Sequence, residues 1–342
     1  MKKILFLLLG LSIFSGAFAQ PSGKSDPPPP YNAEVMRQHE DSLIALFDNV
    51  RKLPKEQDRF NACYTFVPAL VKALKEPGAY YYPFDSLRKW VSIVKPTDDA
   101  FRIFTWMVAK GNADDYRTIS YRYFGAIQMN NPDKLVLFPL EDKSRQLTSI
   151  EDKELTNDQW MGSLYYDVHE YTQNNTKYYM LFGWDGNNFR SDKKIADLLF
   201  FRNDKPKFGA PVFEVINPQT KQKAIKHRLI LEFKEGSAVT LKFNKEENKI
   251  VYDFLAPEDE KANQIGGAAF ALVPDGTYQG LELNTQTGVW EARPMVLKGI
   301  SMEAPPRPSP LFDKGKQPSK GKMVAPVPGS NSSKPPKKKS EK

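Results

Sequence analysis

Cysteine occurs once in 342 residues, as Cys63, and histidine only three times. One cysteine excludes an intramolecular disulfide, so the fold must rest on core packing. Cys63 lies in an apolar helical pattern and reads as a buried structural thiol. His39, His169 and His227 have no metal-ligand spacing, and H-E-x-x-H is missing. Nucleophile motifs are missing too: there is no G-x-S-x-G and no S-x-x-K with partners. Gly315 and Gly321-Lys322 miss the phosphate-loop spacing by one. No apolar run reaches the roughly 20 residues that a membrane-spanning helix needs. No cofactor is implied, and the balance leans away from an enzyme.

What is present begins with an export pattern. Lys2 and Lys3 precede an apolar run from Ile4 to Phe14, and Ala17-Phe18-Ala19 supplies an A-x-A cleavage site before Gln20. Positive, apolar, small is the order of a secretory signal peptide over residues 1–19. Residues 20–30, with four consecutive prolines from Pro27 to Pro30, read as an extended linker. The expected destination is the periplasm or the outer membrane.

The net charge of +8 is unevenly placed. Residues 1–19 carry +2 and residues 303–342 carry +7, which leaves −1 for residues 31–302. The basic character therefore belongs to a tail and does not mark a nucleic-acid-binding domain. That tail holds nine prolines and few large apolar residues, a composition that predicts disorder. Its Lys337-Lys338-Lys339 run is a candidate contact for envelope polyanions, or else a solvated end with no partner.

Between linker and tail the hydrophobic period changes. Over residues 31–96, Met36, Leu43, Phe47 and Val50, then Phe60, Cys63, Val67, Leu70 and Leu74, predict two antiparallel helices. Pro68 is placed to kink the second. Asp85 is placed to cap a third, short helix through Leu87, Trp90 and Val91. Over residues 97–302 the period becomes two. Strands are predicted at 101–108, 120–129, 135–140, 163–171, 178–184, 195–201, 212–216, 228–233, 239–243, 250–255, 277–283 and 289–292. The expectation is an α+β, mostly β protein: an N-terminal helical unit, then an antiparallel β sandwich- or barrel-like domain.

Three features invite a site. Asp167 and His169, two apart on one strand, share a face and suit a proton shuttle or a metal, and equally an exposed polar face. In Gly183-Trp184-Asp185-Gly186-Asn187-Asn188, the oxygens of Asp185 and Asn187, with Asp192, are weak calcium candidates. The EF-hand spacing is not met, and a tight turn explains the residues better. The many tyrosines suit cross-strand packing first and a sugar or peptide face second.

The segments Pro83-Phe84-Asp85-Ser86-Leu87, Phe101-Arg102-Ile103-Phe104-Thr105-Trp106, Tyr123-Phe124-Gly125-Ala126-Ile127-Gln128, Leu155-Thr156-Asn157-Asp158 and Gly209-Ala210-Pro211-Val212-Phe213 carry a resemblance. Over most of residues 35–290, though not the tail, the chain resembles a group of exported proteins of unknown function from Bacteroidota. The resemblance implies a Gram-negative envelope setting and transfers no catalytic residue. The functional expectation is an exported non-catalytic interaction protein, an accessory subunit of a cell-envelope complex, meeting an envelope protein or polyanion. The rival is an exported hydrolase acting on a glycan or peptide, with Asp167 and His169 as first candidates.

Overall fold

The structure, a computed structural model, describes residues 31–112, 114–217, 220–259 and 268–294. Residues 1–30, where a signal segment and a proline-rich linker are expected, and residues 295–342, with Lys337, Lys338 and Lys339, lie outside the described residues. Two helices come first. In α1 (Ala33–Lys52) the Asn32 side chain caps the first turn by accepting from the Val35 N–H, and Met36, Leu43, Phe47 and Val50 form the buried stripe. The chain stays extended at Leu53 before Pro54 and turns back into α2 (Glu56–Leu74), which runs through Pro68. Where a third helix is expected, a single 3-10 turn at Leu87–Lys89 forms instead. The buried Glu40 carboxylate holds that turn by accepting from the Ser86 and Leu87 N–H groups and the Tyr82 hydroxyl. The β-branched stretch that follows is better used in the sheet: β1 (Ser92–Val94) pairs antiparallel with β2 (Phe101–Lys110).

The first sheet has the order β1-β2-β3-β4, with β3 (Ser120–Met129) and β4 (Leu137–Glu141) completing a meander. The second runs β5 (Leu155–Thr156), β9 (Lys205–Phe208), β8 (Ser191–Arg202), β7 (Thr176–Asp185), β6 (Leu164–Gln173). Asn174 and Asn175 both take positive φ in the β6–β7 turn, and Asn203 and Asp204 do the same between β8 and β9. This is the hairpin geometry whose twist matches the strands. The far edge of β8 is divided, because β12 (Arg228–Lys234) pairs with residues 191–197 and β9 with residues 199–202. The third sheet has the order β11 (Lys223–Lys226), β10 (Phe213–Ile216), β16 (Val289–Pro294), β15 (Leu272–Asn284), β14 (Lys249–Pro257), β13 (Leu241–Asn244). Its β10–β16 pair is parallel, and its other pairs are antiparallel. The expected α+β, mostly β class holds, and the sheets stack as a sandwich without closing into a barrel.

The layers are helices, first sheet, second sheet, third sheet. Even-numbered β2 residues face the helices: Trp106 packs edge-on to Phe66 and donates to Cys63 Sγ. Odd-numbered ones face the second sheet: Phe101 meets Tyr179, and Thr105 accepts from the Tyr165 N–H. The second sheet is thus covered on both faces. On β7, Tyr179 and Leu181 enter the core shared with the helices and first sheet, while Met180 and Phe182 enter the core shared with the third sheet. A strand buried on both faces reads as a continuous apolar run, as YYMLFGW does.

Three buried arginines fasten the layers. Arg59 donates to the carbonyls of Leu53, Pro54, Ala109 and Gly111, which ties the helix–helix turn to the end of β2. Arg102 donates to the Ala79 and Tyr82 carbonyls and to Gln128 Oε1. Burial pushes it down to about 9, so it keeps its charge at neutral pH. Arg228 donates to the carbonyls of Ile150, Lys153 and Phe208 and pairs with buried Asp197 at 3.2 Å. Buried charge is tolerable only where donors are met in this way.

Candidate functional site

The site forms where β4 ends. Beyond Glu141 the edge of β3 has no partner strand among the described residues. Asp142 takes over part of that role: its Oδ2 accepts from the Tyr123 N–H at 3.0 Å. Its Oδ1 accepts from the Ser144 N–H at 3.0 Å and the Ser144 hydroxyl at 2.6 Å. The Lys143 N–H turns to the Trp160 carbonyl, and the chain swings away from the sheet. The notch left behind has a volume of about 130 Å³ and is lined by Lys110, Tyr121, Arg122, Asp142, Lys143 and Arg145.

Four cations therefore meet one carboxylate, and both oxygens of that carboxylate already accept hydrogen bonds. Lys143 lies 3.3 Å from Glu141. Lys110, Arg122 and Arg145 form no ion pair among the described residues. The backbone adds a donor. Odd-numbered β3 residues turn their N–H groups to the β4 edge, as the bonds from Tyr123 to Asp142 and from Met129 to the Val136 carbonyl show. The two-residue repeat of a strand aims the Tyr121 N–H the same way, at the stretch β4 has left. The concentration of positive charge around a small concave volume is an anion-binding arrangement.

The conspicuous Gly183–Asn188 segment supports this notch from behind. The Tyr121 ring packs near Trp184 and over Gly186, where a Cβ would come within 2.7 Å of Tyr121 and 2.6 Å of Trp184. Burial, with the charges of Asp192 and Glu235, pushes the Tyr121 hydroxyl up to about 12. Asp185 accepts from the Tyr123 hydroxyl and the Asn187 N–H, each at 2.8 Å. The Gly186 N–H donates back to the Tyr123 oxygen at 2.8 Å. Burial raises the Asp185 carboxyl above its ordinary range. The Asn187 amide donates to Ser191 Oγ and Glu232 Oε1, and Asp192 is buried nearby on β8. Among the described residues no group of three or more His, Cys, Asp or Glu side chains is disposed to hold a metal ion.

Asp167 and His169 lie elsewhere, on β6 toward the third sheet. They are paired across to Phe182 and Met180 and make no hydrogen bond with each other. His169 stacks on Phe243 with ring centroids 3.4 Å apart and 12° between planes. Burial pushes its imidazole down to about 4. Asp167 is exposed, and its carboxylate accepts from the adjacent Val168 N–H. The basic notch escapes sequence inspection because its cations come from three separate segments. The available signal was the Asp-Lys-Ser-Arg turn directly after a strand. No family model matches this chain, and neither a curated protein nor a solved structure matches it.

Proposed function

We propose that the protein is an exported, non-catalytic binding protein that engages an anionic component of the cell envelope, directly or as an accessory subunit of an envelope complex. The observation that carries this reading is the notch itself: Lys110, Arg122 and Arg145 line it with no ion pair among the described residues, and Asp142 is the single carboxylate set against them and Lys143. Holding like charges together costs energy that a bound anion returns. A volume of about 130 Å³ is well below the roughly 300–1,000 Å³ of sites that enclose whole ligands, so the notch takes the charged end of something larger. Binding fits better than catalysis, because the one carboxylate in the notch has both oxygens engaged. The lysines at 337–339 supply a second electrostatic contact in this scheme, and the Lys-apolar-Ala order of residues 1–19 supplies export.

The test is cosedimentation of the purified chain with envelope vesicles across a salt series. Each basic residue near an anionic surface contributes about 1 kcal/mol. The double reversal Arg122→Glu/Arg145→Glu should therefore weaken pelleting by more than about tenfold, and Lys337→Gln/Lys338→Gln/Lys339→Gln by less. Pelleting that ignores both the reversal and the salt would overturn the proposal. Recovery of a tagged chain only in the cytoplasmic fraction would overturn its export.

A further inference from the structure

The notch does not stand alone on its face of the molecule. Arg122 and Phe124 are neighbours on the helix-facing side of β3, and the Arg122 guanidinium lies 5.7 Å from the Phe124 ring centroid. Phe124 in turn meets Tyr64 of α2 edge-on at 6.4 Å, and Phe60 lies 6.4 Å from the same tyrosine. Tyr64 is 55% exposed, the most exposed large hydrophobic residue among those described. An aromatic shelf thus adjoins the basic notch, and the Arg122 side chain joins the two.

Resting on the anion-binding reading, we infer that this composite surface binds a phosphorylated sugar, with the phosphate in the notch and the sugar ring against Tyr64. The charge favours phosphate over carboxylate. Three cations without ion pairs among the described residues, a fourth shared with Glu141 and an edge-facing N–H stand against the one Asp142 carboxylate, and they offer more donors than two carboxylate oxygens accept. A phosphomonoester brings nearly two charges and three acceptor oxygens, and arginine grips it in bidentate fashion. The size agrees, since the notch admits one such group and leaves the attached ring outside. There the exposed tyrosine offers an amphipathic platform, apolar on its face and polar at its tip. The Phe124 ring under Arg122 holds the guanidinium in place by the attraction of a cation to an aromatic face.

The proposal is tested by isothermal titration of the full chain with glucose 6-phosphate, inorganic phosphate and glucuronate. Glucose 6-phosphate should bind more tightly than inorganic phosphate. Tyr64→Ala should lower its affinity about fivefold and leave inorganic phosphate unchanged, while Tyr64→Phe restores most of the loss. Arg122→Ala should weaken both phosphates. A second arm replaces the soluble ligand with vesicles carrying a phosphorylated glycolipid; binding in either arm supports the proposal, and the tighter arm names the source. Glucuronate binding as tightly as glucose 6-phosphate, or a silent Tyr64→Ala, would overturn the sugar-phosphate assignment while anion binding stood. Failure of all three anions and of the vesicles to bind would overturn both readings.

Discussion

Replacing Arg228 with methionine should destabilise the protein by about 4 kcal/mol at neutral pH. The guanidinium is fully buried and lies 3.2 Å from an Asp197 carboxylate that is 1% exposed. Gly209, at φ +84°, makes room for it: a Cβ there would come within 2.4 Å of the Arg228 Nη2 atom. Without the arginine, Asp197 keeps the Leu198 N–H as a donor but loses its counter-charge. Removing one partner of a buried pair costs about 3–5 kcal/mol, because the remaining charge stays desolvated. The carbonyls of Ile150, Lys153 and Phe208 lose a donor as well. Removing both charges in Arg228→Met/Asp197→Leu leaves only those carbonyls to satisfy, so the double variant should recover at least about 2 kcal/mol.

The pH dependence follows from the same pair. Burial already raises the Asp197 carboxyl, with Arg228 opposing the rise, and deleting Arg228 removes that opposition. An acid whose pKa is raised on folding binds its proton more tightly in the folded state. Stability then falls as pH climbs from the ordinary carboxylate range to the raised value, and levels off above it. The deficit of Arg228→Met should therefore be smaller at pH 4.5 than at pH 7. Urea unfolding followed by tryptophan fluorescence measures all of this. A single variant within about 1 kcal/mol of the parent at pH 7, or a double variant as costly as the two singles added, would refute the reasoning.

His169 should make the protein acid-sensitive. Its imidazole stays neutral down to about pH 4 in the fold but charges near 6.5 when unfolded, so the stability it contributes above pH 6.5 is lost progressively between 6.5 and 4. His169→Phe should shrink the drop in urea midpoint between pH 7 and pH 5. Cys63 is fully buried, accepts from the Trp106 indole and is pushed up to about 11. It should ignore Ellman's reagent at pH 8 in the native protein and titrate as one thiol in urea. Gly186→Ala drives a methyl into the Tyr121 and Trp184 rings and should cost about 1–3 kcal/mol in urea unfolding. The same variant should weaken phosphate binding in titration calorimetry, since Tyr121 lines the notch.

Much of the architecture was legible because burial leaves a period. The helix stripes through Met36 and Phe60 each report which side of an element meets a core. The alternation expected over Val239–Phe243 holds less well, since β13 begins at Leu241 and Thr240 is buried beside Val239. The strand Ser92-Ile93-Val94 was not foreseen because three residues carry no period. Their pairing with Ile103–Thr105 is a long-range fact. Strand β9 was missed for another reason: Lys205-Pro206-Lys207-Phe208 is polar and carries a proline, yet it pairs along an edge that β12 has left free. The notch was hidden by averaging. Residues 31–302 sum to nearly zero charge, and only folding brings Lys110, Arg122, Lys143 and Arg145 to one place.

The parallel pairing of β10 with β16 has a consequence for the order in which the protein can be completed. A chain that emerges N-terminus first has its helices, first sheet and most of its second sheet by Phe208, and β12 completes that sheet only after β10 and β11. The β10–β11 hairpin is made next, but its inner neighbour is the last described strand, with Phe213 facing Trp290 across the ladder. Until Val289–Pro294 arrives, that hairpin presents an open edge of unpaired backbone, the kind that recruits foreign strands. A premature stop before residue 289 would thus leave most of the protein folded and two adhesive edges exposed, one on β10 and one on β15. Assembly of the described residues ends with a single closing stitch, and the aggregation risk lies in how long the chain waits for it.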